Sequence, residues 1–407
     1  MSAASAASAS FRSDASVISL VGFAHGTSHF YHFVLPPLFP YLMAEFGLSF
    51  TQVGALMTTF FVVSGVGQAL AGFVVDRFGA LRVLYGGMGL LACSGLVLAA
   101  AGTYPALMAG AAVAGLGNSV FHPADYTLLN RRVSTPRLGH AFSVHGLSGS
   151  LGWAAAPVFV LALAETWGWR AAAAGASGVG ALAIVLLFVN RERLREAPLP
   201  LEGARGKGGS LGFLGSGVVW MCFLFFMLTV MAFGGLQNFA PPILERTYGV
   251  TLAVATTALT AYLLGSAAGT AAGGFVASKG ERQERLVAMA LGFGALCALL
   301  IASGDVPAWS LAALMALMGF GVGFAGPSRD MLVRRAATST FGAAAFGRIY
   351  GFVYSGIDTG LAIAPLVFGL LMDSGRFAQV LWGVAALQGA AIAAALLVGT
   401  RSRGRSA

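Results

Sequence analysis

The chain has 407 residues, of which 57% are hydrophobic and 10% are charged, and its net charge at pH 7 is +9. Its mean hydropathy is +0.81. Because soluble globular proteins carry about 25% charged residues, this composition excludes a secreted domain, a nucleic-acid-binding module and nearly every soluble enzyme, and it predicts an integral membrane protein.

Twelve apolar segments are long enough to cross a bilayer as helices, which takes about 20 residues each. These predicted spans are, in chain order, 17–43, 50–75, 82–101, 104–130, 138–163, 168–189, 215–243, 251–277, 285–303, 308–333, 345–371 and 377–399. They form two bundles of six, at 17–189 and 215–399, joined by a polar cytoplasmic linker at 190–214. Residues 1–16 are predicted to be a disordered cytoplasmic tail, and residues 400–407 a basic cytoplasmic tail.

Basic residues are concentrated in alternate loops. Those assigned to the cytoplasm are Arg12, Arg77, Arg82, Arg131, Arg132, Arg137, Arg191, Arg193, Arg195, Arg205, Lys207, Lys279, Arg282, Arg285, Arg334, Arg335, Arg401, Arg403 and Arg405. The outer loops hold Arg170, Arg246 and Arg376. Because cytoplasmic loops of membrane proteins are enriched in Lys and Arg, both termini are predicted to be cytoplasmic. The net charge therefore reflects topology rather than a nucleic-acid partner.

The second half of the chain repeats landmarks of the first half. Three sets recur in order, at offsets of 202, 205 and 208 residues: Ser64, Gly67 and Gly72 as Ser266, Gly269 and Gly274; Pro36 and Pro37 as Pro241 and Pro242; and Gly139, Gly152 and Pro157 as Gly347, Gly360 and Pro365. Matches at one slowly drifting offset indicate a duplicated six-helix unit, with the copies related by an axis along the membrane normal.

The loop after the second span carries Gly72, Asp76, Arg77, Gly79 and Arg82. This spacing resembles the G-x-x-x-D-R-x-G-x-x-R signature of the major facilitator superfamily. The resemblance implies a conformational lock, in which the acid caps or pairs at a helix end and the two arginines bridge to neighbouring helix C-termini. The alternative is that these charges only set the topology.

A narrower resemblance comes from the fourth and fifth spans. The run Asn118-Ser-Val-Phe-His122-Pro123-Ala, followed by Gly139-His140, resembles the fosmidomycin-resistance branch of that superfamily. The segment His25-Gly-Thr-Ser-His29-Phe-Tyr-His32 is similar to bacterial proteins near that branch. The Gly-Pro-x-x-Gly-Gly run of multidrug antiporters is missing from the fifth span, which argues against generic multidrug efflux. The resemblance implies export of a small molecule by proton antiport.

Ionisable groups within a bilayer cost on the order of 3 kcal/mol or more, so they mark candidate functional sites. Two sets share a helix face at i, i+4 and i+7 spacing: His25, His29 and His32 in the first span, and Asn118, His122 and Asp125 in the fourth. Pro123 is expected to kink the fourth span at the carbonyl of Ser119.

The predicted proton-coupling residues are Asp125, His122, His29 and Asp358. The predicted substrate-binding residues are His25, His32, Asn118, Gln237, Asn238, Arg329 and Tyr354. Polar contacts between helices are the alternative for the histidines and acids, and snorkelling to the cytoplasmic face is the alternative for Arg329 and Arg348. For His140 and His145, near the cytoplasmic end of the fifth span, a packing role fits as well as any other.

These features predict a twelve-helix secondary transporter of the major facilitator type in a bacterial inner membrane. Its expected activity is proton-coupled export of a small organic or drug-like anion, with a small-molecule substrate, protons and the lipid bilayer as its partners. Proton-coupled uptake of a small organic acid is the main alternative, because Arg329 could pair with a carboxylate, and divalent metal transport through the histidine face is a further one. We expect a monomer without enzymatic activity, resident metal or other cofactor.

Overall fold

A computed structural model of the chain describes residues 3–134, 137–195, 215–277, 283–341 and 346–403. These residues are folded predominantly into α-helices. The helices of the first half are α1 Ala3–Tyr31, α2 Phe39–Phe46, α3 Phe50–Phe78, α4 Ala80–Ala99, α5 Tyr104–Asn118, α6 Phe121–Arg132, α7 Leu138–Trp167, α8 Trp169–Val189 and α9 Arg191–Leu194. Those of the second half are α10 Gly217–Tyr248, α11 Leu252–Ala277, α12 Gln283–Ala302, α13 Leu311–Phe341, α14 Phe346–Asp373 and α15 Phe377–Arg403.

All twelve predicted spans coincide with described helices, which confirms the predicted all-α membrane fold. Ten helices of the described part are long and apolar enough to cross a bilayer on their own. The first and fourth spans are each divided between two helices. The first is interrupted by a turn at 32–35 and a short 3-10 helix at Pro36–Leu38.

The fourth span breaks between α5 and α6, at Ser119 and Val120. Pro123 follows directly, and its ring nitrogen has no hydrogen to donate to the carbonyl of Ser119. The predicted kink is confirmed. As a consequence, Asn118 and the pair His122 and Asp125 lie on separate helices.

The chain forms two compact units. One comprises Met1–Tyr41 and Thr59–Gly206, and the other Leu42–Thr58 and Lys207–Ala407. The boundary between Gly206 and Lys207 lies within the predicted linker. The segment Leu42–Thr58, from α2 into α3, is predicted to belong to the first bundle but groups with the second unit. In the first unit α1 packs on α7, and α4 packs on α5 and α8. In the second, α11 packs on α13, and α10 packs on α14 and α15.

Close packing of α11 on α13 depends on small residues. Gly265, Gly269 and Gly273 follow one another at four-residue spacing, and a Cβ at any of them would collide with a backbone carbonyl of α13. At Gly269 the obstructing atom is the carbonyl oxygen of Phe320. Small residues at such spacing let membrane helices approach closely because lipid supplies no hydrophobic force between them.

The start of the chain differs from its predicted disorder, because α1 already includes residues before the first predicted span. Asp14 explains this extension. Its carboxylate accepts hydrogen bonds from Ser134 Oγ at 2.5 Å and from Arg137 Nη1 at 2.7 Å. The Arg137 guanidinium also lies 5.3 Å from the centre of the Phe11 ring. These contacts tie the N-terminal half of α1 to the chain that leads into α7.

The pKa of Asp14 responds to two opposed effects. Burial favours the neutral carboxyl group, but the hydrogen bonds from Ser134 and Arg137 favour the carboxylate more strongly. The pKa of Asp14 is therefore lower than its ordinary value. Because the folded-state pKa lies below the unfolded one, this group stabilises the fold above the unfolded-state pKa, and that stabilisation is lost as the pH falls through the folded-state pKa.

We therefore expect Asp14→Asn to lower the free energy of unfolding by about 1 to 3 kcal/mol at neutral pH, since it removes a charged acceptor from two donors. The difference should shrink as the pH falls to about 3, where carboxyl groups become neutral. Thermal unfolding of the purified protein across this range measures the effect. Glu192→Gln is the matched control, because the Glu192 side chain is 69% exposed in its pair with Arg195 and exposed pairs contribute about 1 kcal/mol or less. Equal shifts for the two variants at neutral pH would contradict the assignment.

Candidate functional site

The first unit brings together imidazole and carboxyl groups from three helices. We call this group the histidine cluster; its members are His25 and His29 of α1, His122 and Asp125 of α6, and His145 of α7. Four of the five are predicted site residues. They are far apart in sequence and adjacent in space, as expected from the two helix faces identified above.

Asp125 lies at the centre of the histidine cluster. Its side chain is 0% exposed, and its Oδ2 lies 3.1 Å from His145 Nε2 and 3.2 Å from His25 Nδ1. Its Oδ1 receives no hydrogen bond from any described residue. A buried carboxylate costs several kcal/mol unless opposite charge or hydrogen bonds compensate it. The hydrogen bond with His145 supplies part of this compensation, and the adjacent His25 ring, whose Nδ1 makes no hydrogen bond within the described structure, can add to it when it carries a positive charge.

The imidazole rings of the histidine cluster are in van der Waals contact. His25 stacks on His145 with 3.5 Å between ring centres, and His29 lies 4.3 Å from His25. His122 lies 5.3 Å from His25. The Nδ1 of His29 has no hydrogen-bond partner within the described structure. This arrangement can hold a proton and move it over short distances between neighbouring groups.

His122 has a different direct partner from the one expected. Its Nδ1 lies 2.9 Å from Oε1 of Gln68 in α3. An amide oxygen only accepts hydrogen bonds, so Nδ1 of His122 carries a hydrogen. His25 and His145, rather than His122, are thus the imidazoles placed directly against the carboxylate of Asp125.

A second network adjoins the cluster and is centred on Asn118. Its Oδ1 accepts from Ser28 Oγ at 2.6 Å and lies 3.0 Å from His32 Nε2. Its Nδ2 donates to Ser64 Oγ at 2.9 Å. The indole Nε1 of Trp153 donates to His32 Nδ1 at 3.2 Å. Asn118 and His32, both predicted to bind substrate, are thereby joined to each other and to α3 and α7.

Two glycines of α7 make room for the imidazoles. A Cβ at Gly152 would collide with the carbonyl of Gly26 in α1. One at Gly149 would lie 2.6 Å from His29 Nδ1 and 3.1 Å from His25 Nε2. The absence of side chains at these positions lets α1 and α7 approach until the two rings lie against the backbone of α7.

The cluster also has the spacing of a metal site. The ligand atoms of His25, Asp125 and His145 lie within 4.8 Å of one another, as do those of His25, His29 and His122. Imidazole and carboxylate are common ligands of Zn²⁺ and related ions. The geometry therefore suits either proton transfer or binding of a divalent cation, and the absence of a metal stays a prediction.

In the second unit, the predicted residues lie on α10, α13 and α14. Gln237 and Asn238 are buried in α10, and the Asn238 amide donates to the carbonyl of Gly234 at 2.6 Å. The Arg329 guanidinium lies 4.5 Å from the centre of the Phe226 ring, a cation–π contact. Substrate binding by these residues stays a prediction.

Asp358, the second predicted proton carrier, lies half-buried in α14. Within the loop motif, Gly79 has a φ of 85° and separates α3 from α4. Arg77 and Arg82 are exposed, as expected for charges at a membrane surface. Three further predicted residues have side chains outside the described part of the structure: Asp76, Arg348 and Tyr354. Gly72 lies in α3.

Three residues that shape the site, Gln68, Gly149 and Trp153, are not among the predicted site residues. For His145 the sequence gives no definite role, because packing fits it as well as function. His145, Gly149 and Trp153 recur every four residues of α7, which places them on one face. The same spacing joins Ser64 and Gln68 on α3. A search for polar residues and glycines at this spacing would have found them.

Comparison with known proteins agrees with this architecture. A sequence model described as Major Facilitator Superfamily matches residues 21–344 and 223–407. The fosmidomycin resistance protein of Escherichia coli (strain K12) is 26% identical over 281 residues, covering 68% of each chain. The membrane sensor protein UhpC of the same organism is 26% identical over 364 residues, 82% of this chain and 80% of that one.

Among solved structures, the fold is similar to that of a bacterial homolog of the human lysosomal transporter Spinster, crystallised in an inward-facing and occupied conformation. The TM-score is 0.75, with 14% sequence identity and 96% of each chain covered. At this identity the likeness concerns the fold alone.

We expect Gly149→Ala to destabilise the first unit by about 1 to 3 kcal/mol, because the added methyl group overpacks the His25 and His29 rings. Thermal unfolding of the purified protein measures this. Gly146→Ala is the matched control one turn away, since a Cβ there meets nothing within 4 Å. In the control, alanine should stabilise the helix by up to about 1 kcal/mol. If Gly149→Ala is as stable as Gly146→Ala, the close contact does not constrain the site.

Proposed function

The chain belongs to the major facilitator superfamily, and we propose that it exports a small organic or drug-like anion in exchange for protons. The two units would alternate access to the substrate from either side of a bacterial inner membrane, as a monomer with both termini in the cytoplasm. The 26% identity to a fosmidomycin resistance protein supports export of a small anionic molecule.

The observation that carries the proposal is the position of the Asp125 carboxylate, buried between the imidazoles of His25 and His145. Membrane-embedded acids and histidines are the usual components of proton relays in transporters. Burial favours the neutral form of Asp125, whereas a neighbouring imidazolium favours the charged form. Opposed effects of this kind allow both protonation states to be populated during one transport cycle.

The residues of the histidine cluster have distinct roles in this mechanism. Asp125 holds the transported proton at a carboxylate oxygen, and His145 stabilises the ionised carboxylate by donating from Nε2. His25 and His29 extend the relay along α1 through ring contact. His122 is held by its hydrogen bond to Gln68 of α3, and this bond fixes the orientation of its ring within the relay.

Substrate recognition in the second unit is assigned to Gln237, Asn238, Arg329 and Tyr354. A guanidinium group binds carboxylates and phosphates in a two-pronged geometry, which suits an anionic substrate. Asp358 acts as a second and weaker proton carrier. In the first unit, we assign substrate binding to His32 and Asn118 and to His25, which also belongs to the relay.

One observation favours a second candidate. The two sets of ligand atoms within 4.8 Å in the histidine cluster fit transport of a divalent cation, in which protons and the metal ion compete for the same nitrogen and oxygen atoms. Uptake of a small organic acid rests on Arg329, which could pair with a carboxylate.

The decisive variant is Asp125→Asn, which keeps the shape of the side chain and removes its titration. In proteoliposomes it should abolish accumulation driven by a pH gradient, yet leave exchange of substrate for substrate largely intact, because exchange moves no net proton. Asp358→Asn should impair accumulation less. Accumulation by Asp125→Asn at the wild-type rate would make Asp125 a structural contact between helices.

The direction and identity of the cargo need a separate measurement. Under the main proposal, substrate moves against the imposed proton flow, whereas movement with the protons would indicate uptake. Calorimetric titration with Zn²⁺ should show no saturable binding that depends on His25 and His29. Zn²⁺ binding that is lost in His25→Gln and His29→Gln would favour cation transport instead, and the absence of any transport would point to a sensor.

A further inference from the structure

We infer that Trp153 is a positioning residue that holds His32 in one neutral tautomer and so keeps His32 out of the proton relay. The inference rests on the proposed function only insofar as a relay exists. The tautomer itself depends only on the hydrogen positions on one imidazole ring, and it can be measured without a transport assay.

The tautomer follows from the partners of the two ring nitrogens. An indole Nε1 can only donate a hydrogen bond, so the 3.2 Å contact with Trp153 requires His32 Nδ1 to be an unprotonated acceptor. A neutral imidazole carries its one hydrogen on the other nitrogen. Nε2 of His32 therefore donates to Asn118 Oδ1 at 3.0 Å.

The same contact also decides the orientation of the Asn118 amide. Were its oxygen and nitrogen exchanged, the amide N–H would point at Nε2 of His32, and both ring nitrogens would then have to be acceptors. A neutral imidazole has only one acceptor nitrogen. The hydrogen bond donated by Trp153 thus determines the direction of the next hydrogen bonds, from His32 to Asn118 and from Asn118 to Ser64.

The surroundings of His32 oppose a positive charge on its ring. Its side chain lies among Phe60 and Phe61 of α3, each with ring centres 5.3 Å away. The titratable groups that face it are histidines: His29 on the same helix, stacked at 4.9 Å, and His25 of α1 and His122 of α6, which interact with it electrostatically. Protonation of Nδ1 would break the bond from Trp153 and place two N–H donors against each other.

Trp153 contacts one histidine of the relay, His29, and one outside it, His32. Its ring stacks on His29 with 4.6 Å between centres, and His29 has an Nδ1 without a hydrogen-bond partner in the described structure. Its N–H meanwhile occupies Nδ1 of His32. Trp153 therefore separates the roles of the two histidines. His29 has a ring nitrogen that can accept a proton, whereas Nδ1 of His32 is occupied by the hydrogen bond from Trp153.

The test variant is Trp153→Phe, which keeps an aromatic ring against His29 and removes only the N–H donor. In ¹⁵N-histidine-labelled protein, NMR reports the tautomer and protonation of each ring; His32 is assigned from the signal missing in His32→Gln. In the wild type, His32 should remain in the Nε2–H form between about pH 5 and 8, the range in which histidine normally titrates. In Trp153→Phe, where Nδ1 no longer receives a donor, the Nδ1–H form should become populated as well, while the ring stays neutral among Phe60 and Phe61.

A control variant accompanies the test variant. Trp220→Phe in α10, whose ring packs on Phe223 and Phe352, is the matched control and should leave the His32 signal unchanged.

The outcomes separate the two claims. Protonation of His32 in the wild type between about pH 5 and 8, or an unchanged His32 signal in Trp153→Phe, would overturn the role of Trp153. A single Nε2–H form of His32 that is lost in Trp153→Phe, together with transport indifferent to pH, would uphold the positioning role and refute the proton-coupled function.

Discussion

The burial of one carboxylate among imidazole rings is the constraint on which the first unit depends. Asp125 has no solvent exposure, and an isolated ionised carboxylate in such surroundings would neutralise or destabilise the fold. Helices α1 and α7 must therefore bring His25 and His145 to its oxygen. This structural requirement also brings together the groups that the proposed proton relay uses.

Backbone geometry makes this arrangement possible. The break before Pro123 separates Asn118 from His122 and Asp125, so that one predicted helix face serves two networks. Gly149 and Gly152 remove the side chains that would otherwise keep α1 and α7 apart. A kink and two glycines, none of which carries a functional group, thus determine which polar side chains meet.

The two networks differ in how completely their groups are bonded. Around Asn118, donors and acceptors are matched, and the ring of His32 has both nitrogens engaged. In the histidine cluster, Oδ1 of Asp125 and Nδ1 of His29 have no hydrogen-bond partner among the described residues. Fully satisfied polar networks rigidify a core, whereas unsatisfied buried groups are costly. This difference favours a fixed geometry in the first network and places the groups that could exchange a proton in the second.

Much of this architecture could be read from the residues in order. Spans of about 20 apolar residues, the asymmetry of arginines and the repeated landmarks predict the membrane class and the helix positions, because a bilayer admits few alternatives. The family is indicated by the resemblance of the loop motif from Gly72 to Arg82. The i, i+4 and i+7 spacing likewise identified four members of the histidine cluster. Tertiary packing alone assigned the partners: His145 and His25 to Asp125, Gln68 to His122, and Trp153 to His32. Periodicity locates a residue on the face of its own helix, but the side chain that it meets depends on where two helices cross, and that point is determined by glycines and kinks elsewhere in the chain.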